Sequence, residues 1–319
     1  MRRLVRFVAT VSAVAVVVGA SSAREATWPE QSPPTFTAGV DLVSIAAVVR
    51  DRRGRVVRGL SRDDFSVLDH GRVRDVLEVR PEADASISLA ILIDGSGSMG
   101  LASKLDVARD TATRLFAVLD ERRDEVALIS FDTELRVLRG FEDGASSFAE
   151  SLAGIEAFGS TSLYDAVATT ARLAGARSDR RAAVIVLTDG LDTTSRLSAA
   201  EVSGLANEIA VPVYVVVSAS PLDDPSAEIG LGDEAGPRSG DLDDLARWTG
   251  GGLVVLSRGR SPDPAVRGLV AELRHRYLIA FEASGPIGWH PIEVRARDRR
   301  LTVRARGGYM VSATPGAEQ

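Results

Sequence analysis

The chain of 319 residues contains no cysteine. That excludes a disulfide framework, a thiolate zinc site, a cysteine nucleophile and a lipid-bearing cysteine. Only three histidines occur, His70, His275 and His290, so chemistry built on histidine clusters is poorly supplied. Lys104 is the single lysine and Asn207 the single asparagine, while arginine is abundant. This skew fits the codon habit of a GC-rich genome, so arginine density by itself is no sign of nucleic-acid binding. The formal net charge of −6 also lacks the basic footprint of a phosphate-backbone binder. What is present is 45% hydrophobic and 26% charged residues, a globular balance that excludes collagen-like, coiled-coil and wholly disordered chains. The length suits two domains, or one large domain with appendages.

No apolar run reaches the ~20 residues of a membrane-spanning helix. Residues 1–23 instead read as a secretory signal. Arg2, Arg3 and Arg6 supply positive charge, a short apolar stretch follows, and Ser21-Ser22-Ala23 ends it with small residues. The expectation is an exported protein, periplasmic or at the cell surface or secreted, with no membrane span once the signal is removed. An uncleaved anchor is the alternative.

Residues 24–36, with Pro29, Pro33 and Pro34, read as a linker. Residues 37–82 form an N-terminal β segment: a strand to Arg50, a turn at Asp51–Gly54, another short strand, and a second turn at Asp69-His70-Gly71. From 86 to 275 the texture alternates. Buried strands are expected at Ile87–Ile93, Val126–Phe131, Ala182–Leu187 and Val211–Val217. Helices are expected at about 102–120, Leu163–Ala174, Ser198–Ile209 and Pro264–Arg274, with a short one capped by Asp241. Residues 220–240 read as a loop. The fold class is therefore α/β, a mainly parallel sheet flanked by helices, with extra β segments at both ends. In the C-terminal β segment, 276–311, Ile292, Val294 and Ala296 and then Leu301, Val303 and Ala305 alternate with charged and polar residues around Asp298-Arg299-Arg300. That reads as a half-buried hairpin with a solvated arginine face. Residues 312–319 are a tail. The two end segments are expected to pack together.

The strongest local signal is Asp94-Gly95-Ser96-Gly97-Ser98-Met99-Gly100, where a buried strand gives way to a helix. Ligands of open α/β sheets bind outside the carboxyl ends of the strands. Asp94, Ser96 and Ser98 offer one carboxylate and two hydroxyls there, a set suited to a hard divalent cation. Thr161 precedes a helix and Asp189 ends a strand, both facing the same crevice. Together the five would leave an octahedral ion with an open position.

At these residues the sequence resembles the von Willebrand factor type A family. Its DxSxS motif matches Asp94, Ser96 and Ser98, its separate threonine matches Thr161 in GSTSLYDA, and its second aspartate matches Asp189 in LTDG. The flanking DDFSVLDHG and HPIEVRARDRRLTVRARGGY are similar to a bacterial, acidobacterial-type exported subgroup. The resemblance implies a Rossmann-like sheet over 86–275 carrying a metal-ion-dependent adhesion site. It implies Mg²⁺, with Mn²⁺ or Ca²⁺ also accepting such ligands, and a partner protein whose acidic side chain completes the metal shell. It implies adhesion or envelope scaffolding rather than catalysis.

Rival readings remain. A structural A domain, its metal only fixing loops, is one. Gly95-x-Gly97-x-x-Gly100 also matches a dinucleotide fingerprint, but Asp94 would repel a pyrophosphate. Ser98, Asp189 and His275 stand in hydrolase order. Ser96, Ser98 or Thr161 could each simply cap a helix, and Asp189 its own turn. Asp165 reads as a first-turn acid, and Asp132 and Asp192 are left out of the ligand set.

Overall fold

The computed structural model describes residues 42–143, 147–177, 180–219, 240–257, 261–283 and 285–311. The expected signal, linker and tail, and nearly all of the 220–240 loop, lie outside them.

The chain begins in β structure: β1 (Leu42–Arg50), β2 (Phe65–Asp69), β3 (Arg72–Arg74) and β4 (Val76–Glu82). β2 and β3 form a hairpin whose two turn residues, His70 and Gly71, both have positive φ, at 49° and 75°. That conformation matches the twist of the flanking strands. The short strand expected after Asp51–Gly54 reduces to one bridge between Arg50 and Val56.

The α/β unit follows: β5 (Ile87–Asp94), α1 (Lys104–Val118), β6 (Glu125–Phe131), β7 (Leu135–Arg139), α2 (Phe148–Ala153), α3 (Leu163–Gly175), β8 (Arg181–Thr188), α4 (Ala199–Glu208), β9 (Val213–Ala219), α5 (Gly240–Thr249), β10 (Leu253–Ser257) and α6 (Asp263–Arg274). The sheet order is β10-β9-β8-β5-β6-β7, parallel except for β7 at the edge. β5 is buried along its whole length. Its side chains alternate between the two faces, as a strand requires. Leu89, Ile91 and Ile93 enter the core shared with α1 and α6, and Ala90 and Leu92 the core shared with α3, α4 and α5. Each fully buried aliphatic side chain is worth ~1.5–3 kcal/mol, so this strand is the anchor of the unit. Periodicity missed β7, α2 and β10. Two are five-residue strands and α2 is six residues long, too short for a period to register. α5 begins at Gly240, so Asp241 lies in its first turn rather than capping it.

The C-terminal strands are β11 (Arg276–Glu282), β12 (Gly288–Ala296), β13 (Thr302–Ala305) and β14 (Gly308–Val311). They complete two four-stranded sheets, β13-β1-β11-β4 and β14-β12-β2-β3, each mixing strands from both ends of the chain. The two ends therefore do pack together. Ile45, Val49, Phe65, Val67, Ile279 and Phe281 form part of the shared core.

The expected hairpin of β12 with β13 is absent. β12 pairs with β2 and β14, and β13 pairs with β1. Both strands do alternate, with Ile292, Val294 and Val303 facing one core. Alternation reports which face is buried, and two strands facing each other across a core show the same pattern as two that pair. The arginine face is also less exposed than expected, because Arg304 reaches in to the fully buried carboxylate of Glu272, at 3.2 Å.

Candidate metal centre

Strand register builds the centre of the site. Ile93 of β5 lies opposite Leu187 of β8, so the next residues, Asp94 and Thr188, emerge side by side at the carboxyl end of the sheet. Both are fully buried. The Thr188 hydroxyl donates to Asp94 Oδ2 at 2.6 Å, and the Ser96 N–H donates to Asp94 Oδ1 at 2.8 Å. Ser96 Oγ and Ser98 Oγ are in hydrogen-bond contact at 3.1 Å. Burial pushes the Asp94 carboxyl up to about 6. The neighbouring Asp189 carboxylate adds to the rise, while the Thr188 and Ser96 donors offset part of it.

Three loops are pinned at this end by backbone hydrogen bonds. Gly97 N–H donates to Gly159 O at 3.0 Å, and Phe158 N–H to Gly95 O at 2.7 Å. Thr193 and Thr194 N–H both donate to Thr161 O. Closeness favours glycine at 95, where a Cβ would stand 3.3 Å from Glu156 O; at Gly97 a Cβ would make ordinary contact, 3.4 Å from Gly159 O. The 156–159 segment lies against both glycines, which counts against the dinucleotide reading along with the Asp94 charge.

The capping alternatives also lose ground. Ser96 precedes a single 3₁₀ turn, Gly97–Gly100, and its side chain makes no cap there. At the start of α3, Asp192 Oδ1 accepts from Leu163 N, and Ser195 Oγ accepts from Tyr164 N. The cap comes from a neighbouring loop, not from Thr161. Asp165 accepts from Arg196 N and Leu197 N, a brace for the same loop. Asp132 is held below the usual carboxylate range: burial alone would raise it, but the Glu134 N–H and the Arg136 guanidinium outweigh that.

Asp189 has a buried carboxylate, and Lys104 Nζ sits 3.0 Å from its Oδ2. Both side chains are nearly inaccessible, at 4% and 1% exposure. The only lysine of the chain is thus committed to this site. Its signal in the sequence was its solitude and its place in the turn after Ser98, but spacing alone gave it no role. Thr188 was likewise read only as the last residue of a strand. A third missed feature is the exposed apolar side chains that the three loops carry. Leu101, Phe158 and Leu191, one from each loop, are 64%, 80% and 40% exposed.

The residue types expected here, Asp94, Ser96, Ser98, Thr161 and Asp189, carry oxygen donors only, the kind a hard divalent cation prefers; the Ser96 and Ser98 hydroxyls touch and the Asp94 and Asp189 carboxylates are neighbours, with Lys104 Nζ on Asp189. The Asp94 carboxylate is held in place by two neutral donors while desolvation disfavours its charge, which a cation would relieve. The hydrolase order does not assemble a triad. His275 follows α6 and contacts Arg58, with Asp84 and Arg181 nearby. Those residues flank the amino ends of β5 and β8, roughly 20 Å of strand away from Ser98.

A family model described as von Willebrand factor type A domain matches residues 89–191. No curated protein matches the chain. Among solved structures, the conserved hypothetical protein BatB from Bacteroides thetaiotaomicron is similar at 21% identity, over 59% of this chain and 98% of its own, with a TM-score of 0.47. A von Willebrand factor type A protein from Catenulispora acidiphila is 14% identical over 86% of this chain and 74% of its own, with a TM-score of 0.47. Proximal thread matrix protein 1 from the mussel byssus, solved with zinc in its MIDAS motif, is 15% identical over 65% of this chain and 50% of its own, with a TM-score of 0.48. Among the described residues no helix is long and apolar enough to cross a membrane.

Proposed function

We propose that this chain, whose α/β unit carries a von Willebrand factor type A domain, is an exported protein that binds a partner protein through a divalent cation. Asp94, Ser96, Ser98, Thr161 and Asp189 would hold the ion, Mg²⁺ in the first place and Mn²⁺ or Ca²⁺ as substitutes. A bound ion would supply a Lewis-acidic position for one oxygen from outside, an acidic side chain of the partner. The signal-like residues 1–23 support delivery to the envelope or beyond.

One observation carries the reading. Asp94 is a fully buried acid whose donors are a hydroxyl and backbone and side-chain groups of Ser96, none of them charged. A buried carboxylate without a charged partner is costly. Its position at the end of the central strand is where a ligand is expected. The exposed Leu101, Phe158 and Leu191 support docking of a partner around the ion, since exposed apolar side chains grouped at a crevice mark interaction sites. The alternative, an ion that only fixes loops, is less well supported. The loops already hold one another through Gly95, Gly97 and Thr161 backbone bonds.

Calorimetry with Mg²⁺ tests the reading. Wild type should give a saturable heat that Asp94→Ala abolishes, and equal heats from both would sink it. An acidic peptide series should then bind in Mg²⁺ and be released by chelation. Chelator-independent binding would favour the structural alternative.

A further inference from the structure

Two of the three histidines meet at one buried acid, far from the oxygen site. Asp69 ends β2 and is fully buried. His70 follows it in the turn, and His290 reaches it from β12. Asp69 Oδ1 lies 3.0 Å from His70 Nδ1 and 3.2 Å from His290 Nδ1. The ligand atoms of the three lie within 4.8 Å of one another. Among the described residues this is the one such grouping of three His, Asp or Glu side chains.

The hydrogen-bond roles at His290 do not close without a cation. Its Nε2 faces Pro286 O at 2.8 Å, and a carbonyl only accepts, so Nε2 carries the hydrogen. In the neutral ring Nδ1 then presents a lone pair. That lone pair faces a carboxylate oxygen, which also only accepts. Two acceptors at 3.2 Å, inside a site where His290 is 2% exposed, need positive charge between them. It is either a second proton or a metal ion.

The surroundings favour the metal. A metal-bound imidazole characteristically donates its other N–H to a carbonyl, which fixes the ring. His290 does this to Pro286. Gly285 closes over the same ring: a Cβ there would stand 2.6 Å from Cε1. The far oxygen of Asp69, Oδ2, is oriented by the Tyr309 hydroxyl at 3.2 Å and by Arg74 Nε at 3.2 Å. Tetrahedral bonds of about 2.0–2.1 Å place neighbouring ligand atoms ~3.3 Å apart, close to the two separations from Asp69 Oδ1, with all three ligand atoms within 4.8 Å. His70 is half exposed, so a fourth position opens to solvent on its side.

We propose that Asp69, His70 and His290 form a second metal site, selective for zinc or a similar borderline divalent ion and separate from the oxygen site. Two imidazoles and one carboxylate are the ligand types such ions prefer over Mg²⁺. The ion would tie β2 from the start of the chain to β12 near its end. It is a clasp for the sandwich rather than a catalytic centre.

Zinc titration of the chelator-stripped full chain tests this, with Co²⁺ as spectroscopic probe. Wild type and Asp94→Ala should both bind one equivalent of Zn²⁺ in excess Mg²⁺. The Co²⁺ form should show the strong visible bands of tetrahedral nitrogen and oxygen ligation, which an octahedral oxygen site does not give. His290→Ala should abolish binding. His70→Asn keeps a residue that tolerates positive φ, so it should stay folded and still weaken Zn²⁺ at least about ten-fold. Zinc lost with Asp94→Ala would overturn the proposal. So would zinc unaffected by His70→Asn, or no zinc bound by wild type.

Discussion

Two buried acids stand at opposite ends of the central sheet, and the fold treats them differently. Asp124, just before β6, has a fully buried side chain that accepts from Ile87 N at 3.1 Å and Asp120 N at 2.8 Å, and it pairs with Arg274 of α6. Burial alone would raise its carboxyl, but the Arg274 guanidinium and the two backbone N–H groups outweigh that and hold it below its ordinary value. Asp94, after β5, is wholly inaccessible where the Asp124 residue retains 9% exposure, and this deeper burial helps push its carboxyl up to about 6. Its donors are neutral and its charged neighbour is another acid. The chain can neutralise a buried carboxylate from within, and it does so at the amino end of the sheet. At the carboxyl end Lys104 does the same for Asp189, while Asp94 is left with neutral donors alone.

The largest test of that contrast is Asp124→Ala. Removing one partner of a buried pair strands the other, so the expected loss is about 3–5 kcal/mol in urea unfolding. The pH dependence has a definite sign. The folded-state pKa of Asp124 lies below its unfolded value, so its contribution is complete above that unfolded value, ~4, and fades as pH falls through the folded value. Asp124→Asn should flatten the acid limb of the stability curve. An unchanged limb would mean Asp124 is not the internally satisfied acid of the pair.

Asp94→Asn is the converse. Here the folded value, about 6, lies above the unfolded one, so in chelator the wild type loses stability as pH rises from ~4 to about 6 and stays lower beyond. The amide removes that penalty. In chelator near neutral pH the variant should be more stable than wild type, by up to about 3 kcal/mol. In Mg²⁺ the order should reverse, because only wild type gains from ligand binding. Thermal melts in both buffers decide it. A variant equally weakened in both would show Asp94 to be a structural acid like Asp124.

How far the sequence disclosed this depends on which residues were near one another in it. Ile87–Ile93 is a contiguous apolar run, and β5 follows it almost residue for residue. Asp94, Ser96 and Ser98 share one loop, so their grouping was legible, while Thr161 and Asp189 were assigned to the same crevice from a loop and a strand end and then matched to the family resemblance. The Asp69, His70 and His290 grouping was not legible. His290 lies over 200 residues from the adjacent Asp69 and His70, and the pairing of Ile292 with Asp69 that unites them is a register, which no local pattern encodes. The error over β12 and β13 has the same origin. Lys104 stood out as the single lysine, but its role did not, because its partner Asp189 is 85 residues away.

The finest test lies in a single hydroxyl. Thr188→Val keeps the shape of a fully buried side chain and deletes the donor 2.6 Å from Asp94. A hydrogen bond to a charged group is worth ~1.5–3 kcal/mol and one between neutral groups ~0.5–1.5 kcal/mol. In chelator the substitution should therefore cost more near pH ~7.5, where Asp94 is ionised, than near pH ~5, where it is protonated, by about 1 kcal/mol. The Gly190 N–H, which also uses the Thr188 oxygen, is lost at both values and cancels in the comparison. A cost independent of pH would mean that Asp94 is already neutralised in the metal-free protein. The contrast with Asp124 would then disappear, and with it the physical case for an ion at this end of the sheet.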